Sequence, residues 1–334
     1  MSEKREVIAV LGAGSWGTAL AHLLNQKNHD VRLWSRDAQT AAQLRNDGEN
    51  RRYLPHISLQ CIVISDDLTE TLRDANWIVA AVPCAALPEL ARATSTRCAR
   101  NAIVVSGTKG LHPETHLLAS QTWAHAGLDA SRFVVLSGPN LAREVAQNVP
   151  TSSVVASTNA DAATRAQSLF ATRTFRVYTN DDLLGVELGG ALKNVVAIAA
   201  GIGDGLSFGD NAKAAMMTRA WREMTRLAVA LGARETTLFG LSGMGDLIAT
   251  CSSAQSRNHT LGFKLARGES LGVAQGEIAQ VAEGVHTCRA ALWLAKNAGV
   301  ELPVTSQIAA VLFEGKSPRA AVEHLMSRAG CHES

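Results

Sequence analysis

The chain has 334 residues, long for a single hydrophobic core, so two domains are the natural expectation. Apolar residues make up 46% of it, which argues against disorder. With 32 basic and 30 acidic residues the formal charge is only +2, which excludes the broad basic field of a nucleic-acid or membrane-surface binder. The first element in chain order is a strand over Val7–Leu11, leading into Gly12-Ala13-Gly14-Ser15-Trp16-Gly17 and a small-residue helix over 17–26. Gly12 allows the tight turn, Gly14 lets backbone approach a pyrophosphate, and Gly17 lets the helix pack close on the strand. The phosphates of a dinucleotide then sit at the helix N-terminus, where unpaired N–H groups favour anions. Lys4, Arg5 and the apolar run before Ala19-Leu20-Ala21 imitate a secretory signal, but three spaced glycines have no place in one. No apolar run reaches the roughly 18 residues that cross a bilayer. The chain reads as soluble and cytoplasmic, without membrane insertion.

Further strands are expected at 31–34, 77–82, 103–106 and 134–137, then around 153–156 and near 176–178. Helical stretches fall between them, among them 38–46 and 87–93. This alternation makes βαβ units, and parallel strands with crossover helices make a doubly wound α/β sheet. Residues 1–185 are therefore read as a Rossmann-like dinucleotide-binding domain. From about Leu183 the strand pattern stops, and helices are expected at 183–202, 211–231, 257–267, 288–298, 305–314 and 318–326. Gly185, Gly189 and Gly190 at this boundary would let a helix approach its neighbours. Residues 186–334 read as an all-helical substrate-binding domain.

The six cysteines (Cys61, Cys84, Cys98, Cys251, Cys288, Cys331) contain no C-x-x-C pair, which suits a reducing compartment and mostly buried thiols. His112 and His116 stand four apart, but Pro113 intervenes and no Glu follows the first His, so no metal site is expected.

In an open α/β sheet, ligands bind beyond the carboxyl ends of the strands. Polar groups gather at those ends: the glycine loop, Ser35-Arg36, Ser106-Gly107-Thr108-Lys109-Gly110 and Ser137-Gly138-Pro139-Asn140. NAD sites place an acid about 20 residues beyond the glycines. Here Ser35 and Arg36 come first and Asp37 only afterwards, and a guanidinium can fork onto a 2′-phosphate. NADP(H) is favoured, with NAD(H) as the alternative. Lys193 lies among small apolar residues, with no carboxylate at helical spacing to pair it within its helix. Desolvation there favours the neutral amine and suits proton transfer. Lys109, in a Gly-flanked loop, reads as a phosphate or carbonyl ligand or as a solvated lysine. In Gly240–Cys251, Asp246 and Thr250 are four apart on one helix face, and Ser256 reads as the N-cap of a helix opening with Arg257 and Asn258, a ready phosphate site. Glu283-Gly284 reads as a turn whose acid holds a ligand hydroxyl or amide, or simply as a turn.

These motifs resemble the NAD(P)-dependent sn-glycerol-3-phosphate dehydrogenases of bacterial type, over about residues 5–326. The likeness rests on Gly12–Ala21, Gly107–Leu111, Ser137–Val145, Glu187–Ala197, Gly243–Cys251, Ser256–Asn258 and Glu283–Thr287. It implies hydride transfer between NAD(P)H and dihydroxyacetone phosphate, supplying glycerol 3-phosphate for phospholipid synthesis. Lys193 is then the proton donor or acceptor, with Lys109, Asn194, Asp246 and Thr250 in its catalytic company. Lys109, Gly138, Asn140, Lys193, Asp246, Ser256, Arg257 and Asn258 line the substrate, with Arg257 and Asn258 near its phosphate. Gly12, Gly14, Ser15, Trp16, Gly17, Arg36, Lys109, Ala142, Arg257, Val281 and Glu283 contact the cofactor. At Asn140 the family often has Ser. The partner is a small phosphorylated substrate, and the glycine-rich helix faces suit either a homodimer or packing between domains. Two rivals stand beside this reading. One is a Rossmann-plus-helical reductase of a hydroxy or keto acid, which would bind a carboxylate. The other is a non-catalytic NADP(H)-binding regulator, which could discard the lysines and Asp246.

Overall fold

The computed structural model describes residues 5–278 and 280–327. Its strands are β1 (Val7–Leu11), β2 (Asp30–Trp34), β3 (Glu49–Asn50), β4 (Leu54–Ser58), β5 (Val63–Ser65), β6 (Trp77–Ala80), β7 (Ile103–Ser106), β8 (Phe133–Ser137), β9 (Thr151–Ala156) and β10 (Phe175–Asn180). Eight of them form one sheet in the order β10-β9-β8-β7-β6-β1-β2-β5, while β3 and β4 pair as a separate antiparallel hairpin. β6, β7 and β8 are buried along their whole length, so their sequences are continuous apolar runs without polar alternation.

The order of strands positions the ligand crevice. The chain lays β2 and β5 on one side of β1, then returns to lay β6, β7 and β8 on the other. Loops leaving β1 and β6 diverge at that reversal, which is where such sheets take ligands. Gly12 (φ +115°) sits there with the β6 loop hard against it: a Cβ would lie 2.6 Å from the Ala81 carbonyl oxygen.

Three expectations need correction. The sheet is not wholly parallel, because β9 runs antiparallel to β8. The connection between them holds only the five-residue helix Ala142–Ala146, about 7 Å long. That cannot carry the chain back along the sheet, so it turns and pairs in reverse. The β3–β4 hairpin and the three-residue β5 add to the expected strands, since Glu49-Asn50-Arg51-Arg52 is polar and β5 is too short to show a period. Finally, the helix Leu183–Gly205 is long and apolar enough to cross a bilayer despite Glu187, Lys193 and Asp204. Because 89% of its apolar window is buried inside the protein, it is a core helix.

The chain divides into two units, residues 5–109 with 117–187, and 110–116 with 188–327. The described part of the second unit is helical. Besides the rest of Leu183–Gly205 it holds Gly209–Ala230, Glu235–Leu238, a wide π turn over Leu241–Gly245, Asp246–Ser252, Arg257–Ala266, Leu271–Glu277, Gly284–Ala298, Pro303–Phe313 and Pro318–Met326. Cys84, Cys251 and Cys288 are buried and outside any disulfide, Cys61 is exposed, and Cys331 lies outside the described residues.

Two buried glutamates satisfy helix N-termini from outside. In the second unit Glu223 accepts from Val304 N (2.7 Å) and Thr305 N (3.2 Å) at the start of Pro303–Phe313. In the first unit Glu187 accepts from Ser120 N (2.8 Å) and from the Ser120 hydroxyl, at the start of Ala119–His125. Burial pushes the Glu187 carboxyl up from 4.5 to about 7, only partly offset by the Ser120 hydrogen bonds. Between those pH values the folded chain holds a proton that the unfolded chain has lost. Stability is therefore highest below about pH 4.5 for this group, falls as pH rises to about 7, and is flat above. The full swing is on the order of 3 kcal/mol. Glu187→Gln, which keeps an acceptor for Ser120 N, should flatten that part of the profile in chemical denaturation at stepped pH. An unchanged slope would show that Glu187 is not the titrating group.

Candidate active site

In the first unit the glycine loop is built for close approach. A Cβ on Gly17 would overlap the Gly12 carbonyl, so Gly17 is what lets the helix Ser15–Gln26 begin against the strand end. Gly14, in contrast, has nothing within 4 Å of where a Cβ would stand, leaving its backbone open to a ligand. The loop is braced by a residue that sequence patterns gave no reason to single out. Asn50 of β3, 2% exposed, donates to Ala13 O (3.0 Å) and to the Thr18 hydroxyl (2.8 Å). From the same hairpin, Tyr53 O accepts from the Ser15 hydroxyl (2.6 Å). Only its hydrogen-bonding chemistry hinted at this, because hairpin and loop are paired by the fold.

Trp16 and Ala142 pack on one apolar cluster with Ala19, Leu54, Ile57 and Ala146. The Trp16 indole lies so close to Gly107 that a Cβ there would be 2.6 Å from Nε1. Lys109 Nζ donates to Gly138 O (2.8 Å), and Gly138 (φ +136°) is hemmed by Ser153. Asn140 Oδ1 accepts from the Ser153 hydroxyl (3.1 Å), while its buried Nδ2 has no acceptor among the described residues. So Lys109, Gly138 and Asn140 form one group at the end of β8.

Beyond β2, Ser35 and Arg36 part company. Ser35 is 6% exposed and gives its hydroxyl to Asp37 O (3.2 Å). Asp37 caps the helix Ala38–Asp47, accepting from Thr40 N (2.9 Å) and the Thr40 hydroxyl (2.5 Å), which hold its carboxyl below its ordinary value. Asp37 is thus committed to a helix end. The Arg36 side chain is 75% exposed, 4.0 Å from an equally exposed Glu89, a pair too solvated to hold it.

The second unit gathers the other candidates. Lys193 and Asp246, 6% and 3% exposed, form an ion pair of 3.0 Å, and Lys193 Nζ also donates to the Thr250 hydroxyl at 2.5 Å. Thr250 in turn donates to the same Asp246 oxygen (3.1 Å), one helical turn below it. The carboxylate that Lys193's own helix does not offer is thus met across the fold. No acid stands at helical spacing within Lys193's own helix, but the π turn Leu241–Gly245 delivers one from a neighbour. That turn fits because it is made of small residues: Gly189 faces Ser242 and Gly243, and a Cβ on Gly243 would overlap Leu238 O. A buried carboxylate opposes desolvation and favours the ammonium form. Burial pushes the Cys251 thiol, next in sequence to Thr250, up to about 12, which favours the neutral thiol.

Asn194 and Asn258 are joined by a hydrogen bond of 2.9 Å, and Asn258 Oδ1 accepts from Gly284 N (2.9 Å). Ser256 caps the helix Arg257–Ala266 by accepting from His259 N (3.2 Å). Arg257 donates to Gln280 Oε1 (3.0 Å) and Val281 O (3.1 Å), and Glu283 acts on its guanidinium electrostatically. Arg257, Val281 and Glu283 are therefore neighbours. The structure thus draws the candidates into two groups, Gly12 to Ala142 in the first unit and Lys193 to Glu283 in the second.

The two halves of the chain match models of NAD-dependent glycerol-3-phosphate dehydrogenase, the N-terminal part over residues 7–163 and the C-terminal part over 182–323. A glycerol-3-phosphate dehydrogenase [NAD(P)+] of Pelotomaculum thermopropionicum is 47% identical over 98% of this chain and 94% of its own length. One from Moorella thermoacetica is 46% identical over 98% of each chain. The crystal structure of glycerol-3-phosphate dehydrogenase from Coxiella burnetii superposes with a TM-score of 0.93 at 39% identity, covering 97% of this chain and 99% of that one. The chain belongs to the NAD-dependent glycerol-3-phosphate dehydrogenase family.

Proposed function

We propose that this chain interconverts dihydroxyacetone phosphate and sn-glycerol 3-phosphate with NAD(P)H, in the cytoplasm, feeding phospholipid synthesis. The observation that carries the reading is the buried Lys193–Asp246–Thr250 cluster in a chain of this family. The first-unit residues fit a dinucleotide: Gly14 leaves its backbone open, and Gly12 and Gly17 bring strand and helix together at the reversal of the sheet. Gly12, Gly14, Ser15, Trp16, Gly17, Arg36 and Ala142 would hold it. The nicotinamide supplies the hydride when bound.

The remaining chemistry belongs to the protein. Reduction leaves negative charge on the former carbonyl oxygen, and Lys193 stabilises that alkoxide and gives it a proton. Asp246 keeps Lys193 charged beforehand, and Thr250 fixes the direction of its ammonium hydrogens. In the oxidative direction the same amine takes the proton from the hydroxyl. Arg257 and the N-terminus of its helix receive the phosphate. Lys109, tied to Gly138, assists with the substrate.

Arg36 supports a preference for NADP(H), because it is exposed and Asp37 is already committed to its cap. The test is oxidation of NADPH and NADH, followed by absorbance, with dihydroxyacetone phosphate. Turnover is expected with both, faster at limiting NADPH. Arg36→Ala should lower the NADPH/NADH ratio of kcat/KM roughly tenfold, the scale of one lost charge-assisted hydrogen bond. An unchanged ratio would remove Arg36 from cofactor choice. No oxidation by a folded, cofactor-binding protein would transfer the reading to carboxylate substrates.

A further inference from the structure

Asp204 lies at the far end of Lys193's helix and belongs to neither group of candidate residues. Its Oδ2 accepts from His259 Nε2 (2.7 Å) and from Lys213 Nζ (2.7 Å), so one carboxylate ties together Leu183–Gly205, Gly209–Ala230 and Arg257–Ala266. His259 is the third residue of the helix that opens with Arg257 and Asn258. It is held at both ends: its backbone N–H donates to the Ser256 cap, and its imidazole to Asp204. Its neighbour Asn258 is held by Asn194, which adjoins Lys193. The first turn of the Arg257 helix is thus pinned at two points of the lysine helix, ten residues apart in Asn194 and Asp204. Between the pins the helix backbones touch at Gly201 and Gly262, where no longer side chain cushions the contact.

We propose that Asp204 is a positioning residue, holding through His259 the turn that carries Arg257 and Asn258 at the depth where they meet the substrate phosphate. The proposal rests on the dehydrogenase reading for the identity of that phosphate. Burial alone would raise the Asp204 carboxyl, but the hydrogen bonds from Lys213 and His259 outweigh it and hold it below its ordinary value, so it is ionised at neutral pH. A third of the side chain remains exposed, and the pair is screened by water. Its loss should therefore show in the placement of the turn before it shows in global stability.

The experiment compares wild type, Asp204→Ala and Asp204→Asn in three measurements: steady-state kinetics with dihydroxyacetone phosphate, inhibition by inorganic phosphate, and thermal unfolding. Asp204→Ala should raise KM for dihydroxyacetone phosphate and the inhibition constant of phosphate together, by about tenfold, since misplacement of an ångström costs this much or more. Its kcat and its KM for NADPH should stay within about threefold of wild type. Asp204→Asn keeps an oxygen to accept from His259 Nε2–H and should restore KM most of the way. The proposal is overturned if Asp204→Ala leaves KM and phosphate inhibition unchanged. It is equally overturned if kcat and both KM values move together with a collapse in unfolding temperature, or if Asp204→Asn is as impaired as Asp204→Ala. Should the wild type not turn over dihydroxyacetone phosphate, the functional reading fails by itself. Calorimetric binding of inorganic phosphate to wild type and Asp204→Ala then decides the positioning role: weaker binding in the variant supports it, and equal or absent binding overturns it.

Discussion

Lys193→Ala should lose about 10³-fold or more in kcat while binding the cofactor with nearly unchanged affinity. In the mechanism we propose, the amine does two things at once: it stabilises a developing alkoxide and protonates it. Each is ordinarily a matter of 10²-fold or more, and the two are not additive because one group performs both. The substitution also leaves Asp246 buried at 3% exposure without the cation it faces, and breaking a buried pair costs about 3–5 kcal/mol. A dead variant could then simply be unfolded. Lys193→Met fills the space of the alkyl stem, and Lys193→Met with Asp246→Leu removes both charges, which is often nearly neutral for stability. The double variant should be folded, bind NADPH as judged by fluorescence titration, and be inactive. Asp246→Asn should be intermediate, keeping the Thr250 contact but losing the charge that favours the ammonium. Appreciable turnover by a folded Lys193→Ala enzyme would take Lys193 out of the mechanism.

The first unit was legible where burial on both faces makes a strand continuously apolar. β1 and β7 run between the residues expected, and the glycine loop follows from spacing alone. What escaped was whatever depends on length or on pairing across the fold. The two-residue β3 is polar, yet its Asn50 braces the glycine loop. The reversed β9 follows from a connecting helix too short to cross back, a property of geometry that no hydropathy pattern carries. The second unit shows the same limit at its chemical centre. At helical spacing Lys193 has no acid, and its counter-ion lies 53 positions away in sequence. Asp246 and Thr250 were visible as an i, i+4 pair, but not what they face. Glycines at 189 and 190 announced close packing, whereas the closest crossing lies further along the same helix, at Gly201 and Gly262, because a glycine's use is set by which helix comes to meet it.

That crossing supports an expectation of opposite signs from two substitutions two residues apart. A Cβ on Gly201 would overlap His259 O and stand 2.9 Å from Phe263 N, and one on Gly262 would overlap Ile198 O and stand 2.9 Å from Ile202 N. The contacts are reciprocal and made by backbone, which has no rotamer to change. A methyl group at either position must push the helix axes apart. Overpacking of this kind costs about 1–3 kcal/mol or more, against the roughly 1 kcal/mol that alanine gains over glycine within a helix. Gly201→Ala and Gly262→Ala should therefore both destabilise. Gly203, on the same helix, has nothing within 4 Å of its Cβ position, so Gly203→Ala should keep the propensity gain and be neutral or stabilising. Denaturant midpoints of the three variants decide it, and equal shifts at 201 and 203 would mean that the backbones do not touch. Function should follow the same division. The crossing also carries the Asn194–Asn258 bond and the Asp204–His259 bond, so whatever Gly262→Ala protein folds should bind the phosphorylated substrate less well. Its affinity for the dinucleotide, which we propose is held mainly by residues of the glycine loop, should fall less.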